Sequence, residues 1–407
     1  MEMFNARLGC ILGRTVALVI AATSIRSDFG LMRELYRSLS SVAEFGLLVC
    51  GAHLSERFGN TATEVRAAGI TILAERATLA PEDSPAGRHQ TFINHSQFFL
   101  DQLKTHQPSL VLVVGDREDA LALAIASAYL EIPIAHFYGG DYSPDGNIDN
   151  TVRDAIAKLS SHHFVAHPQH RERLQALGED PKRIYEVGSV ALDRFGVGQA
   201  SLPTLDQLQV AIAIPQSVSS LAVILFHPIE AERGRLREIF SLIVDEATAE
   251  GYWPIVIGPN SDPGSEEIRL AGMKLAAEGK GSFAMNLPSP QFEALLRHAT
   301  VLIGNSSLGI LEAATFRLAT INVGTRQRGR LADENVIFVK AIPGQVTNAL
   351  RLIRNESFQA ALAKVKNSYG DGHSVRHAVS RIRDILNLPV DSVKKDPLTL
   401  QSNRHTS

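Results

Sequence analysis

A chain of 407 residues with 45% hydrophobic and 20% charged residues has the apolar material for two or three domains with sizeable cores, and not the composition of a disordered protein. A formal charge of -3 sets aside nucleic-acid and anionic-membrane binders, because such partners call for a basic surface. Two cysteines, Cys10 and Cys50, are too few for a disulfide framework or a cysteine zinc site, which fits a reducing cytoplasm.

In chain order, residues 1–13 read as an N-terminal extension. Arg7 and Arg14 ahead of an apolar run imitate a secretory signal. Val16 to Ala22 is only strand length, however, and leads straight into a polar loop and helix, as a first Rossmann-type strand does. No apolar stretch is long enough to span a bilayer. Apolar, β-branched runs recur at VALVIAA, GLLVCG, GITIL, LVLVVG and IPIAHFY, alternating with helical periodicity, the pattern of a parallel sheet covered on both faces. Residues 14–200 are therefore expected to form one α/β domain. A weakly periodic stretch, 201–220, reads as a linker. The pattern restarts at LAVILFHP, WPIVIGPN, SFAMNLP, TVLIGNSS and ATINVGT, giving a second doubly wound domain over 221–387. A final helix near Arg376 to Leu386 is expected to pack back across the halves, and 388–407 to be a frayed polar tail. Two such domains imply a cleft lined by the carboxyl ends of the strands.

Those strand-end loops are polar. Arg26 precedes a helix and suits a phosphate, a sugar hydroxyl or a structural salt bridge. His53 follows a glycine turn, where a lone histidine also serves as a cap or core residue. Asp116 directly follows Gly115; an N-cap would suit it, yet Arg117 and Asp119 crowd the same turn, and a carboxylate among such charges can be poised as acid or base. The long loop HFYGGDYSPDGNIDN carries Asp141, Asp145 and Asp149, with glycines at 139, 140 and 146 that let backbone approach a ligand, and Arg153 and Lys158 lie further along the next helix. In the second half His227 and Asn260 stand at strand ends. The segment Thr300 to Asn335 reads as strand, turn, helix and strand. Gly304, Asn305, Ser306 and Ser307 offer backbone N–H groups at a helix start, where orphan donors and the dipole favour an anion, although an ordinary N-cap reads the same way. Arg326, Arg328 and Arg330 follow the next strand, and guanidinium is the usual fork for phosphate. Together the loops point to a negatively charged, phosphate-bearing, hydroxyl-rich ligand.

The loops SIRSDFG, HLSERFGN, GDRED, HFYGGD with IDN and RDAIAKL, HPIEAE, GPN, and IGNSSLG with GTRQRGR, in this order, resemble the UDP-N-acetylglucosamine 2-epimerases over about Thr15 to Asn335. The likeness is closer to the hydrolysing branch. It implies a glycosyltransferase-B-type α/β fold of two Rossmann-like domains. It also implies a reaction, UDP-GlcNAc plus water giving N-acetylmannosamine plus UDP through a 2-acetamidoglucal, which needs acids and bases rather than a metal or redox cofactor. By the resemblance Asp116 and Asp149 match catalytic carboxylates and His227 the histidine near the diphosphate. Arg26, Arg117, Asn260, Ser306, Ser307, Glu312 and Arg326 match ligand-contacting positions, and His53 is added as a substrate-binding candidate. Where that family commonly reads H-I-E-G-G-E, this chain has Tyr138 in place of the glutamate, so Asp141 or Asp145 is a candidate replacement acid or base and Asn150 stands where a second acidic residue is usual. An unperturbed tyrosine, with a pKa of about 10, can donate a proton but is a poor base at neutral pH. The resemblance further implies a cytoplasmic homodimer or tetramer acting on a UDP-sugar in nonulosonic (sialic- or legionaminic-type) acid synthesis. UDP-GlcNAc and its 4-acetamido-6-deoxy relative both stay open as substrates. A non-hydrolysing epimerase, a glycosyltransferase on the same fold and a binding-only UDP-sugar sensor remain alternatives.

Overall fold

The computed structural model describes residues 17–82, 84–142, 148–195, 202–259 and 264–389, and positions 393 and 395. The chain divides into two units, Met1–Asp141 with Ile148–Arg194 and Gly372–Ser407, and Phe195–Asp371 with Tyr142–Asn147.

The first unit alternates strand and helix: β1 (Leu18–Thr23), α1 (Arg26–Ser40), β2 (Glu44–Cys50), α2 (Ala62–Ala67), β3 (Ile72–Arg76), α3 (Pro85–His106), β4 (Leu110–Val114), α4 (Glu118–Tyr129), β5 (Ile134–Phe137), α5 (Asp149–Leu159), β6 (His162–Val165), α6 (Pro168–Ala176) and β7 (Ile184–Glu186). All seven strands pair in parallel, in the order β3-β2-β1-β4-β5-β6-β7. Successive side chains of a strand point to opposite faces. Val19, Leu47 and Leu110 accordingly join the cluster under α1, with Phe29, Met32 and Leu35, while Ile20, Leu48 and Val111 join the cluster of Phe98, Phe99 and Leu123 on the other face. Apolar residues at every position of a strand are what burial on both faces requires.

The second unit repeats the plan: α7 (Leu205–Ala211), β8 (Leu221–Leu225), α8 (Leu236–Ala249), β9 (Trp253–Ile257), α9 (Ser265–Ala277), β10 (Ser282–Ala284), α10 (Ser289–His298), β11 (Val301–Gly304), α11 (Leu308–Leu311), β12 (Ala319–Val323), β13 (Val336–Val339), α12 (Gln345–Ile353) and α13 (Glu356–Leu362). Its six parallel strands run β10-β9-β8-β11-β12-β13.

Three features bear on the domain boundaries read from the sequence. Part of the stretch read as a linker forms α7, and Leu208 within it and Ile212 and Ile214 just after it are buried in the second unit's core, where apolar side chains gain more than in water. The last helix, α14 (Ser374–Leu386), belongs to the first unit: Ala378, Ile382 and Ile385 pack into the cluster under α1, and the Asp193 carboxylate accepts hydrogen bonds from the N–H groups of Ser374 (3.0 Å) and Val375 (2.8 Å) at its start. Within the tail expected to fray, Val393 is buried and Lys395 is ion-paired, so these two positions are anchored.

Candidate functional site

In the first unit the carboxyl ends of β4 and β5 and the start of α5 meet at Arg153. Gly115, just past β4, takes φ +75° and turns the chain so that Asp116 leaves the strand direction. The buried Arg153 guanidinium pairs with the Asp116 carboxylate, donates to the Asp141 carbonyl at 2.8 Å and donates to Asn150 Oδ1 at 2.9 Å. A planar fork with several donors fixes all three groups at once. Asp149 opens α5, and positions 149, 150 and 153 share one helix face. Its carboxylate lies 3.9 Å from Arg88 of α3, which also holds Glu118 at 3.0 Å. The sequence reading singled out Asp116, Asp141 and Asp149 but gave Arg153 no role; its place four residues after Asp149 on an amphipathic helix was the available signal.

Asp141 turns its carboxylate to the buried His170 of α6, with Oδ1 at 3.4 Å from Nε2. Asp145 lies outside the described residues. Tyr138 has φ +65°, and its N–H donates to the Phe164 carbonyl at 3.1 Å. Its ring packs against the cluster under α1 and its hydroxyl meets Ser189 Oγ at 3.3 Å.

Around β1 and β2 the remaining candidates separate. Arg26 meets Glu64 at 3.2 Å with both side chains about half exposed, an ion pair of ~0–1 kcal/mol that an anionic ligand can displace. His53 is fully buried with one ring nitrogen 2.9 Å from Thr23 Oγ1 and the other 2.7 Å from Thr61 Oγ1, so both nitrogens are engaged inside the fold. The Thr23 hydroxyl in turn donates to Asp28, whose carboxylate also accepts from the N–H groups of Ser24 (3.0 Å) and Ile25 (3.3 Å). Arg117 reaches Asp119 at 3.8 Å. Burial first, and the Asp28 charge second, push Asp119 up to about 6 against the pull of Arg117.

In the second unit the phosphate-turn candidates are knitted together by Asn305. Gly304 ends β11 at φ +146°, and a Cβ there would lie 1.9 Å from the Leu225 carbonyl, so only glycine fits. The buried Asn305 side chain accepts from the His227 N–H at 2.7 Å and donates to the His227 carbonyl at 2.8 Å, joining the ends of β8 and β11. The Asn305 carbonyl accepts from Arg326 (3.1 Å) and Gln327 (3.3 Å), which brings Arg326 to the turn that carries Ser306 and Ser307. Burial, then the Arg326 charge, push His227 down to about 4, leaving a neutral imidazole at neutral pH. The helix expected here is short. After one α turn, Leu308–Leu311, the backbone departs at Glu312 (φ -122°) into a 3₁₀ turn that closes at Arg317 in left-handed conformation. The macrodipole argument therefore weakens, which leaves turn N–H groups and Arg326 as the candidate anion donors. Glu312 is buried at that break. Glu232, which the sequence reading did not single out, lies against Gly324, where a Cβ would come within 2.4 Å of its Oε1; burial pushes its carboxyl up. Asn260 lies outside the described residues.

Among the described residues no group of three or more His, Cys, Asp or Glu side chains is arranged to hold a metal ion, and no helix is long and apolar enough to cross a membrane.

The sequence pattern of a family described as UDP-N-acetylglucosamine 2-epimerase matches residues 38–384. A UDP-N,N'-diacetylbacillosamine 2-epimerase (hydrolyzing) of Legionella pneumophila is 32% identical over 373 residues, 90% of this chain and 96% of that protein. A UDP-N-acetylglucosamine 2-epimerase of Neisseria meningitidis is 28% identical, over 91% of this chain and 95% of that protein. The crystal structure of a Neisseria meningitidis UDP-GlcNAc 2-epimerase bound to UDP-GlcNAc superposes with a TM-score of 0.75 at 16% identity, covering 90% of this chain and all of that one, and so shares this fold of two parallel α/β units of glycosyltransferase-B type.

Proposed function

The chain belongs to the UDP-N-acetylglucosamine 2-epimerase family, and from that premise we propose that it is a hydrolysing 2-epimerase of a UDP-linked 2-acetamido sugar. The substrate favoured is UDP-N,N'-diacetylbacillosamine, the compound in the name of the relative at 32% identity. UDP-GlcNAc is the second reading, supported by the relative at 28%. The proposal extends to a cytoplasmic homo-oligomer whose product enters nonulosonic acid synthesis.

The observation that carries the reading is the buried Arg153 fork, which fixes the Asp116 carboxylate beside the Asp141 carbonyl and Asn150. The chemistry runs in two stages. A base removes the C2 proton and the C1–O bond to UDP breaks, leaving a 2-acetamidoglucal; water then adds across the double bond, its oxygen at C1 and a proton at the opposite face of C2. The products are the free 2-epimer and UDP. Asp116 and Asp149 are the acid and base in this scheme, and Asp141 serves in place of the glutamate that Tyr138 replaces. Departure of UDP builds negative charge on the diphosphate, where Arg326, the Ser306–Ser307 turn and the neutral His227 act as donors, an interaction stronger in the transition state than in the ground state. Arg26, Arg117, His53, Asn260 and Glu312 are proposed ligand-binding or ligand-orienting residues.

The test is proton NMR of the protein with each UDP-sugar in deuterated water. Free 2-epimer carrying deuterium at C2 is the expected result. UDP-linked epimer in equilibrium with substrate would instead give a non-hydrolysing epimerase, and UDP binding without turnover of either sugar would give a binding protein.

A further inference from the structure

Behind the Asp116 loop a buried polar chain runs across the first unit to the C-terminal segment. Glu179, whose side chain is 2% exposed, accepts Nε2–H of His163 at 3.1 Å and Lys395 Nζ at 2.6 Å, and forms an ion pair with Lys158 Nζ at 3.1 Å. The His163 ring stands edge-on to His136, with centroids 6.4 Å apart. His136, at the end of β5, donates Nε2–H to the Gly115 carbonyl at 2.8 Å, and Gly115 is the left-handed residue that aims Asp116. Two positions before Lys395, the Val393 carbonyl accepts from His162 Nε2 (3.2 Å) and Arg183 (3.1 Å).

We propose that Lys395 is a positioning residue for the Asp116 loop: it fixes the charge state of the Glu179–His163 pair that backs the His136–Gly115 hydrogen bond. This rests on the reading of Asp116 as a catalytic carboxylate. The physical argument is a charge count. Glu179 carries one negative charge and faces two ammonium groups, so His163 between them stays neutral. Burial lowers His163, Glu179 raises it, and Lys395 and Lys158 lower it again. Burial works to raise Glu179, yet its bonds to His163 and Lys395 bring it down to about 2. Removing Lys395 leaves the buried carboxylate with Lys158 as its remaining ammonium partner and His163 as its neighbouring proton acceptor, and a buried carboxylate that loses one of its cations favours the charged form of that imidazole. The imidazolium then faces His136, which burial holds neutral, pushed down to about 3, and disturbs the ring that holds Gly115. The other charged or titratable groups around this pair among the described residues are His162 on β6, Arg183 before β7 and Lys158 on α5.

The experiment uses the full chain with Lys395→Met, Lys395→Arg and Glu179→Gln. Histidine ring NMR, with His163 assigned by His163→Asn, reads the charge state directly, and kcat and KM are followed from pH 5.5 to 8.5. Expected for Lys395→Met are a His163 titration moved upward into the measured range, a kcat about 10-fold down at pH 6 that recovers toward pH 8.5, and a KM within about twofold. Lys395→Arg should restore both. In Glu179→Gln, His163 should not rise. A lower melting temperature with an unmoved His163 signal would make Lys395 a merely structural tie and overturn the proposal, as would a moved signal with an unchanged kcat profile. If the unmodified protein turns over neither sugar, the function reading fails and the positioning claim with it, a failure that the ring titration tells apart from loss of the relay.

Discussion

Asn305→Asp is the sharpest test of how the second unit holds its turn. The native amide presents an acceptor to the His227 N–H at 2.7 Å and a donor to the His227 carbonyl at 2.8 Å. Aspartate keeps the shape and the acceptor but puts a second oxygen against that carbonyl. One net hydrogen bond of about 1 kcal/mol is lost, and leaving a buried carbonyl unsatisfied adds about 1–3 kcal/mol. The sum, about 2–4 kcal/mol, raises the unfolding constant of the second unit roughly 30- to 1,000-fold. A protonated aspartic acid would still donate, so the loss should be small near pH 4.5 and full at pH 8. The chain's single tryptophan, Trp253, sits on β9 of this unit, so its fluorescence during urea unfolding reports the right transition. The reasoning is refuted by a transition within about 0.5 kcal/mol of the unmodified protein at pH 8, or by a loss of equal size at both pH values.

Asp116→Asn and Asp149→Asn should each abolish turnover while UDP affinity, measured by calorimetry, stays within a few fold; a large loss of UDP binding would make these carboxylates structural. Ser307→Ala combined with Arg326→Ala should weaken UDP binding at least tenfold, and unchanged affinity would remove the phosphate-site assignment. Tyr138→Phe should keep kcat within about threefold because the hydroxyl is directed at Ser189, whereas Asp141→Asn should lose ~10²-fold or more; a 10²-fold loss in Tyr138→Phe with an intact fold would make the phenol the acid. For pH, His136 and His227, held down to about 3 and about 4, make stability fall as pH drops from about 6.5 toward 4, since the unfolded chain binds the protons that these rings refuse. Asp119, raised to about 6, has the opposite sign, its folded carboxyl binding a proton that the unfolded one has lost above about 3.9. Asp119→Asn should therefore make stability rise more steeply with pH from 4 to 6 in urea titrations, and an unchanged slope would count against the assignment.

The strands that could be read from sequence are those apolar on both faces: Leu18–Thr23, Leu110–Val114 and Val301–Gly304 alternate between two cores, so nearly every position is constrained toward Val, Ile, Leu or Ala. The strands that escaped are short or polar. His162–Val165 begins with two histidines, whose partners, Tyr185, Val393 and Glu179, are distant in sequence. Ile184–Glu186 has three residues at a sheet edge and Val336–Val339 only four, too few to show a period of two against chance. The last helix shows its amphipathic face plainly, and residues 372 onward return to the first unit to bury it.

The site divides along the same line. Asp116, Asp149 and His227 could be singled out as candidates because each stands just past a strand or opens a helix, positions where side chains can face a ligand. The links between them were harder to read, because Arg153, Asn305 and His136 reach Asp116, His227 and Gly115 across 21 to 78 positions in sequence. Tyr138 shows why a local substitution cannot be judged locally. The turn after it is fixed by two exclusions, a Cβ at position 139 lying 2.9 Å from the His136 ring and one at position 140 lying 2.2 Å from the His170 carbonyl. With Gly139 and Gly140 so confined and its own N–H tied to Phe164, residue 138 is held at positive φ, and its side chain has the apolar cluster and Ser189 as partners. A large, mainly apolar ring satisfies that direction better than a carboxylate, which would need a proton or a cation there. The same turn delivers the Asp141 carboxylate to His170 and the Asp141 backbone carbonyl to Arg153, the guanidinium that also pairs with Asp116.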